Sequence, residues 1–518
     1  MKKTVKILAV LLVLLMIVPV IVSCAKKSGK TDGSDTSATD VPTGDSGPVD
    51  TTKATNQWGE EDIQDEIEDT FGGATVNILI RGANVAQYTR EWTSDTEKPD
   101  TLQTAIFKRN ADLQTALDVK LNFIANTKDD GPGMNDLILA DSKSGGGAYH
   151  IVSQYAAYTG TMQNISGFLN LNSARLYNMD LEKGYWNQNY IDEATAYDKT
   201  FLAVGDVNLS VYDRCHVVFF NKAEATERIG DFDELYQTVL DGDWTYDYFY
   251  ELASEIHEDN GTTAEEDDFY GVASIHNSEA WDGFLYAMGG KLTQVDDNGK
   301  RVLVTDSNLE KAANIFDKVS AFWGADGAKT FGGNGASQKN YDFFCGGQAL
   351  FDVDVVYHYA SGLEQLKEME DGFGVLPMPK LDADQKEYLT GVQDAHNSMA
   401  VIYHNRFDYG MISAVLEKFC SLSYRDVRPL YIEKIVKGQT LDANSAEVFD
   451  LCIKGARWDF ADIYANATGN IRNNIWRGPL TNLLSNPGST SFKNAYDSKA
   501  EALTAKLDEM DAFLEEVD

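Results

Sequence analysis

Between residues 75 and 155 the chain alternates short β-branched runs with segments of helical spacing, and few folds accept that order. Residues 75–81 are rich in Val, Ile and Leu and are stopped by Gly82, which reads as a strand. Leu102, Ala105, Ile106, Leu113 and Leu117 recur at the spacing of a helix that buries one face, so a helix is predicted over 101–117. Residues 119–124 predict a second strand, 134–141 a second helix and 150–155 a third strand. A parallel pair needs a crossover connection, and a helix is its usual form. The order therefore predicts a parallel sheet with helices on its faces.

The chain has 518 residues, too many for one ordinary hydrophobic core, so two lobes are expected. Near the C-terminus Leu503, Leu507, Met510, Leu514 and Val517 recur at three- and four-residue steps, with acids on the opposite face, and predict a long amphipathic helix. The formal net charge of −37 argues against nucleic acid as a partner, because phosphate binding needs clustered Lys and Arg. Cys215, Cys345, Cys420 and Cys452 form no CxxC pair, which disfavours a structural zinc site. Two disulfides and burial as small hydrophobes both remain open for these four.

The N-terminus has its own logic. Lys2, Lys3 and Lys6 precede an apolar run over 7–22, the pattern of a secretory signal at 1–23. The run ends in Ile21, Val22, Ser23 and Cys24, which resembles the bacterial lipobox, in which the peptide is cut before a lipid-bearing Cys. Lipidation, such as a palmitate chain, is expected at Cys24, with the protein held at the extracellular face of the cell membrane. Residues 24–57 are Ser, Thr, Gly, Asp and Pro with almost nothing apolar, and are expected to be a disordered tether.

The folded body carries an ordered set of motifs. Phe168, Leu169, Asn170, Leu171 and Asn172 are followed by Tyr185, Trp186 and Asn187, then by predicted strands over 200–206 and 217–222. Gly242, Asp243, Trp244 and Thr245 open a predicted helix over 247–257. Phe343 to Phe351 carry the sequence FFCGGQALF, and Phe373 to Pro379 the sequence FGVLPMP. In order and spacing this resembles the extracellular solute-binding proteins of ABC importers, the maltose-binding-protein-like family 1 class, over roughly residues 75–399. Three positions depart from that pattern. Phe351 stands where Met is usual, Asp352, Val353 and Asp354 replace a Gly-Pro-Trp, and an acidic insertion occupies 262–269.

The resemblance implies an α/β, periplasmic-binding-protein-like fold: two lobes with central sheets flanked by helices, and a hinge beside a ligand cleft. It implies a first lobe over 58–212, a second over 213–371, a return to the first over 372–440, and C-terminal helices over 441–518 completing the second. Crossings are expected near 208–213, 375–391 and Gly438. The resemblance also implies a monomer, a carbohydrate-like ligand and an ABC transporter permease as partner.

Ligands of open parallel sheets bind beyond the carboxyl ends of strands, so residues there are the candidates. In the first lobe these are Arg81, Asn84, Tyr155 and Tyr158. At the first crossing they are Asn208, Tyr212 and Asp213. Trp281, Asp282, Asp352 and Asp354 follow in the second lobe, then Asp394 and Asn397 on the return, and Trp476 near the end. Sugars stack their C–H faces on rings and present hydroxyls to planar polar groups, and 25 Tyr and 8 Trp supply the rings. Trp281 and Trp476 are the first choices for stacking, whereas Trp244 and Trp323 have helix contexts that predict core packing.

Other chemistries find less support. Asp352 and Asp354 share a strand face but do not form a pair placed across a scissile bond, so a surface glycoside hydrolase is a weaker reading. Asp296 to Gly299 lack the spacing of a calcium loop and read as a hairpin turn. No His pair has metal-ligand spacing, and Gly145 to Gly147 lack the Lys-Ser/Thr of a phosphate loop. No cofactor or metal is expected. A binding protein for a peptide or another polar solute is the alternative that keeps the same fold.

Overall fold

The computed structural model describes residues 61–82, 89–94, 101–127, 131–262, 267–276, 281–357, 366, 368–433 and 443–517. Cys24, the stretch 24–57 and Asn84 lie outside the described residues. In chain order the strands are β1 (Ala74–Ile80), β2 (Val119–Ala125), β3 (Ile151–Tyr155), β4 (His216–Asn221), β5 (His257–Glu258), β6 (Phe269–Ile275), β7 (Thr293–Val295), β8 (Arg301–Leu303), β9 (Ala328–Phe331), β10 (Ala349–Val355), β11 (Phe373–Pro377), β12 (Thr390–Gly391), β13 (Asn397–Val401) and β14 (Ala456–Arg457).

The first sheet has the order β13-β3-β1-β2. β1 runs parallel to β2 and β3, as the alternation predicts, and β13 closes one edge antiparallel to β3. Val76, Ile78 and Ile80 of β1 enter one hydrophobic cluster with Leu113 and Leu117 of the helix Thr101–Leu117 and with Val415 and Phe419 of the helix Tyr409–Leu422. Asp408 caps the latter helix by accepting from the Met411 N–H, which satisfies one orphan donor of its first turn.

The second sheet has the order β11-β4-β10-β6-β5, with β9 also paired to β6. β4 is antiparallel to both β10 and β11, whereas β10, β6 and β9 are mutually parallel where they pair. Helices Tyr246–Ala253, Asp306–Trp323 and Ala336–Cys345 pack with it. Trp244 and Trp323 lie in this core, as their helix contexts predict. The helix at 246 stops at Ala253 instead of reaching His257. Gly271 and Gly327 press against its last carbonyl so closely that an added Cβ would stand 2.0 and 2.1 Å away. The chain then turns out, and His257–Glu258 becomes an edge strand on β6.

Residues 200–206 depart from expectation. They are extended and buried but form no ladder. Their backbone groups pair with several different segments: Ala203 with Met399, Val204 with Asn187, Asp206 with Tyr185 and Thr200 with Leu171. A strand-like sequence here serves as a buried connection. Residues 296–300 turn the β7–β8 hairpin, with Gly299 at φ 83°, as the Asn-Gly pair predicts. The four described cysteines are free; Cys215, Cys420 and Cys452 are buried. The helix Phe492–Glu516 buries Leu503, Leu507, Met510 and Leu514.

Three passages link the sheets. The first is the short helix Ser210–Asp213 between the buried connection and β4. The return lies later than expected: Phe373–Pro377 still pairs with β4, and the chain reaches the first sheet only between β12 and β13. The third lies between the helix Tyr409–Leu422, which packs on the helix Thr101–Leu117, and the helix Ala443–Lys454, which packs on β11. Gly438 itself lies outside the described residues.

Candidate binding site

The carboxyl ends of β1 and β3, the start of antiparallel β13, the ends of β6 and β10 and the start of antiparallel β4 are the positions from which a ligand would be reached. Described residues there form a polar seam with four groups of contacts.

The first group holds Arg81, Tyr155 and Tyr158. The Arg81 guanidinium lies 4.2 Å over the Tyr155 ring, and Nη1 donates to the Ala395 carbonyl at 2.7 Å. Tyr158 meets Tyr155 edge-on at 5.3 Å. On the other side Arg214 lies 4.2 Å over the Tyr357 ring and donates to Oε1 of Gln393 at 2.8 Å.

The second group is a buried hub at Glu91. Its carboxyl accepts from Asn397 Nδ2 at 2.6 Å, Asn208 Nδ2 at 3.4 Å and the Ser210 N–H at 3.0 Å. Burial pushes the Glu91 pKa up, and these donors only partly offset it. The hub ties the first crossing to the start of β13, and the Asn397 N–H donates to Ser210 Oγ at 3.1 Å. In the third group Asp213 pairs with Arg90 at 3.1 Å and accepts from the Tyr431 hydroxyl, which joins the first and third crossings.

The fourth group is an ionic cluster. Arg472 faces Asp394 at 2.5 Å, Asp462 at 3.1 Å and Asp282 at 3.4 Å. Arg477 Nε donates to Asp282 at 2.6 Å, and the Tyr286 hydroxyl donates to Asp462. Burial raises the Asp462 carboxyl to a pKa of about 7, with Arg472 opposing the shift. Burial also acts to raise Asp394, but Arg472 and Arg477 outweigh it and its pKa falls below the ordinary value. Two guanidiniums balance two carboxylates, so a proton on Asp462 makes the buried cluster neutral.

His396 sits beside these groups, edge-on to Tyr190 and Trp458 at 6.0 and 5.8 Å. Burial lowers its pKa to about 4, so the ring is neutral near pH 7.

The expected site residues therefore separate into three sets. Arg81, Tyr155 and Tyr158 come together, as do Asn208 and Asn397 on Glu91, and Asp282 and Asp394 on Arg472. Asp213 lies at the junction, while the Tyr212 hydroxyl turns to Asp206 at 2.5 Å, lining a cavity of about 480 Å³ with Arg428, Asp450 and Lys454 on the flank of the crossings. The third set is corrected by the structure. Trp281 is 0% exposed and packs edge-on against His276 and Trp323. Trp476 is 0% exposed between Phe316 and Phe492. The Asn/Arg-rich stretch around Trp476 is helical, a wide π-type turn at Asn473–Arg477 running into the helix Gly478–Ser485, and it directs the indole into the core. Asp352 accepts from Asn340 at 2.8 Å beneath the helix Ala336–Cys345, inside the sheet rather than beyond its end. Asp354 is 0% exposed opposite Val217 in the β4–β10 pair.

Glu91, Arg90, Arg214, Tyr357 and Asp462 are absent from the sequence-based set. Arg214 was the most accessible of these, since it follows Asp213 at the crossing. Asp462 carries no local signal, because it lies in the short helix Phe460–Ile463 and meets Arg472 only through the fold. Among the described residues no group of three or more His, Cys, Asp or Glu is placed to hold a metal ion.

No protein-family profile matches the chain, and no curated protein matches it. Solved structures do. A cyclo/maltodextrin-binding protein complexed with maltotetraose superposes with a TM-score of 0.53 at 11% identity, covering 85% of this chain and 98% of that one. UgpB from Mycobacterium tuberculosis, in complex with glycerophosphocholine, gives 0.53 at 14% identity, with 85% and 100% coverage. The GacH receptor of Streptomyces glaucescens, known unliganded and with acarbose, gives 0.50 at 15% identity, with 84% and 99% coverage. At these identities the likeness is one of fold. The chain has the mixed α/β, periplasmic-binding-protein-like fold of these proteins, with sheets flanked by helices.

Proposed function

We propose that this chain is the substrate-binding lipoprotein of an ABC importer, which captures an extracellular carbohydrate-like solute between its lobes and delivers it to a permease. One observation carries the reading: two separate sheets direct their strand ends at one junction crossed three times by the chain. That architecture permits hinge closure around a solute, and the ligand selects the closed form by its preference for it. The like-folded proteins whose complexes hold maltotetraose and acarbose favour a carbohydrate. Cys24 would carry the lipid, and the body would work as a monomer at the extracellular face without catalysing a reaction.

A thermal-shift screen against mono- and oligosaccharides, peptides and polar metabolites tests the proposal. A ligand at a hundred times its dissociation constant adds about 2.7 kcal/mol of stability. A stabilising saccharide recovered unchanged supports a receptor. A peptide or other metabolite as the sole hit moves the solute class, and a saccharide consumed during incubation refutes the binding-protein reading.

A further inference from the structure

A cavity of about 410 Å³ lies beside the seam, within the range of about 300–1,000 Å³ found for small-molecule sites. Asn135 of the helix Pro132–Lys143, with Tyr158 and Met162 beyond β3, lines it from elements that pack around the first sheet. Asn466, Lys506 and Glu509 line it from the C-terminal part of the chain, where the helix Phe492–Glu516 packs on the helix Asp306–Trp323 and β8. Tyr158 belongs to both the seam and the cavity, so the two adjoin.

The orientation of one amide in the cavity wall follows from its neighbours. Asn164 Nδ2 donates to the carbonyls of Tyr158 and Thr159 at 3.2 and 3.3 Å, and Gln154 Nε2 to that of Gly131 at 3.4 Å. Carbonyls only accept, so both side chains present their N–H groups here. Each also donates to Asn135 Oδ1, at 2.8 and 2.5 Å. Gln154 and Asn164 are 0% exposed, whereas Asn135 is half-buried. The Asn135 oxygen is thus held inward, and its planar amide turns the Nδ2 donors the other way. Among the described residues those donors have no acceptor, and the Tyr158 hydroxyl makes no hydrogen bond. The Tyr158 ring is fixed as well. It stands edge-on to Tyr155 at 5.3 Å, and a Cβ added at Gly131 would lie 2.7 Å from it. Asn466 Nδ2 donates to the Ala157 carbonyl at 2.5 Å, which leaves its Oδ1 as an acceptor. Lys506 and Glu509 pair with each other at 2.6 Å. A fixed ring, a phenol, an amide donor and an amide acceptor are groups that meet the C–H faces and hydroxyls of a sugar.

We propose that this cavity is a second sugar subsite. The solute is an oligosaccharide, with one unit at the seam and the next between Asn135, Tyr158 and Asn466. The inference rests on the solute-receptor reading above and specifies its ligand. It also gives chain length a part in closure, because the second unit touches groups from both parts of the structure at once.

Calorimetric titration of the full mature chain with malto-, xylo-, manno- and galacto-oligosaccharides, each from monosaccharide to tetrasaccharide, tests this. The expected result is a gain of at least about tenfold in affinity from the monosaccharide to a longer member of one series. Tyr158→Phe removes the hydroxyl and keeps the ring on Gly131, and Asn135→Leu removes the amide. Each should lower the long-to-short affinity ratio by about threefold or more. Melting curves confirm that each variant is folded. Saccharide binding that does not depend on chain length would overturn this inference and leave the receptor standing. A length preference unchanged in folded Tyr158→Phe and Asn135→Leu would overturn the assignment of the cavity. Binding of no saccharide of any length would overturn the carbohydrate reading and this inference together.

Discussion

The cluster around Arg472 makes a pH-dependent prediction that a single substitution isolates. Asp462 has a pKa of about 7 in the folded chain against an ordinary value of 3.8, because burial penalises its charge, Arg472 only partly offsets this, and the nearby Asp459 and Asp282 carboxylates add to the rise. A raised carboxyl pKa favours the folded state when the group is protonated. Its contribution is therefore full below pH 3.8 and lost as pH rises through about 7. Between about pH 5 and about pH 8 the wild type should lose on the order of 3 kcal/mol from this one group. Asp462→Asn keeps an acceptor for the Tyr286 hydroxyl and cannot ionise, so it lacks that loss. Urea denaturation of both proteins at the two pH values gives the answer as a difference, in which every other titrating group cancels. The wild-type-minus-variant stability should fall by about 3 kcal/mol from the acidic to the alkaline condition. A difference that does not change with pH would refute the protonated-cluster argument.

Arg472→Met removes the cation that Asp394, Asp462 and Asp282 share, leaving Arg477 as the remaining partner of Asp282, and should cost about 3–5 kcal/mol in urea denaturation; a loss below about 1 kcal/mol would mean that water replaces the guanidinium. Trp476→Ala should cost about 3–5 kcal/mol while leaving ligand affinity in place, and lost binding at unchanged stability would return this indole to the site. Gly374→Ala should destabilise by about 1–3 kcal/mol, because its Cβ would stand 2.2 Å from the Phe220 ring and 2.3 Å from the Tyr236 hydroxyl; an unchanged melting temperature would contradict this packing. His396 works in the opposite sense from Asp462. Burial lowers its pKa from 6.5 to about 4, so stability present above pH 6.5 is lost as the pH falls toward 4, and His396→Gln should flatten that acid limb of the stability profile.

Elements governed by local periodicity were legible from the chain. The helix Thr101–Leu117, the first three strands and the terminal amphipathic helix have burial patterns written in their spacing. Residues 200–206 were not, because β-branched, apolar sequence describes burial in an extended form and does not name a hydrogen-bond partner. The site was legible by position and obscure by contact. Strand-end logic named Arg81, Tyr155, Asn397 and Asp394 as candidates, and topology alone puts them at the junction. It misplaced Trp476, because a stretch rich in Asn and Arg reads as loop until tertiary packing against Phe316 and Phe492 makes it helical. Glu91 and Asp462 are recognisable only through partners far away in sequence, Asn397 and Arg472.

The late arrival of β13 has a consequence for the order of folding. β3 is an edge strand until Asn397–Val401 pairs with it, and those residues follow the whole set of β4–β11 strands in the chain. During synthesis, the first sheet therefore stays incomplete while the strands of the second are already available to one another. Contacts of such long sequence separation carry a large loop-closure cost and form slowly. The nascent chain should pass through a species with the second sheet assembled and the β3 edge open. An open edge is a template for pairing with another chain. The interval before β13 docks is thus the period in which a newly made molecule is most exposed to self-association, and where a holding chaperone would have the greatest effect on yield.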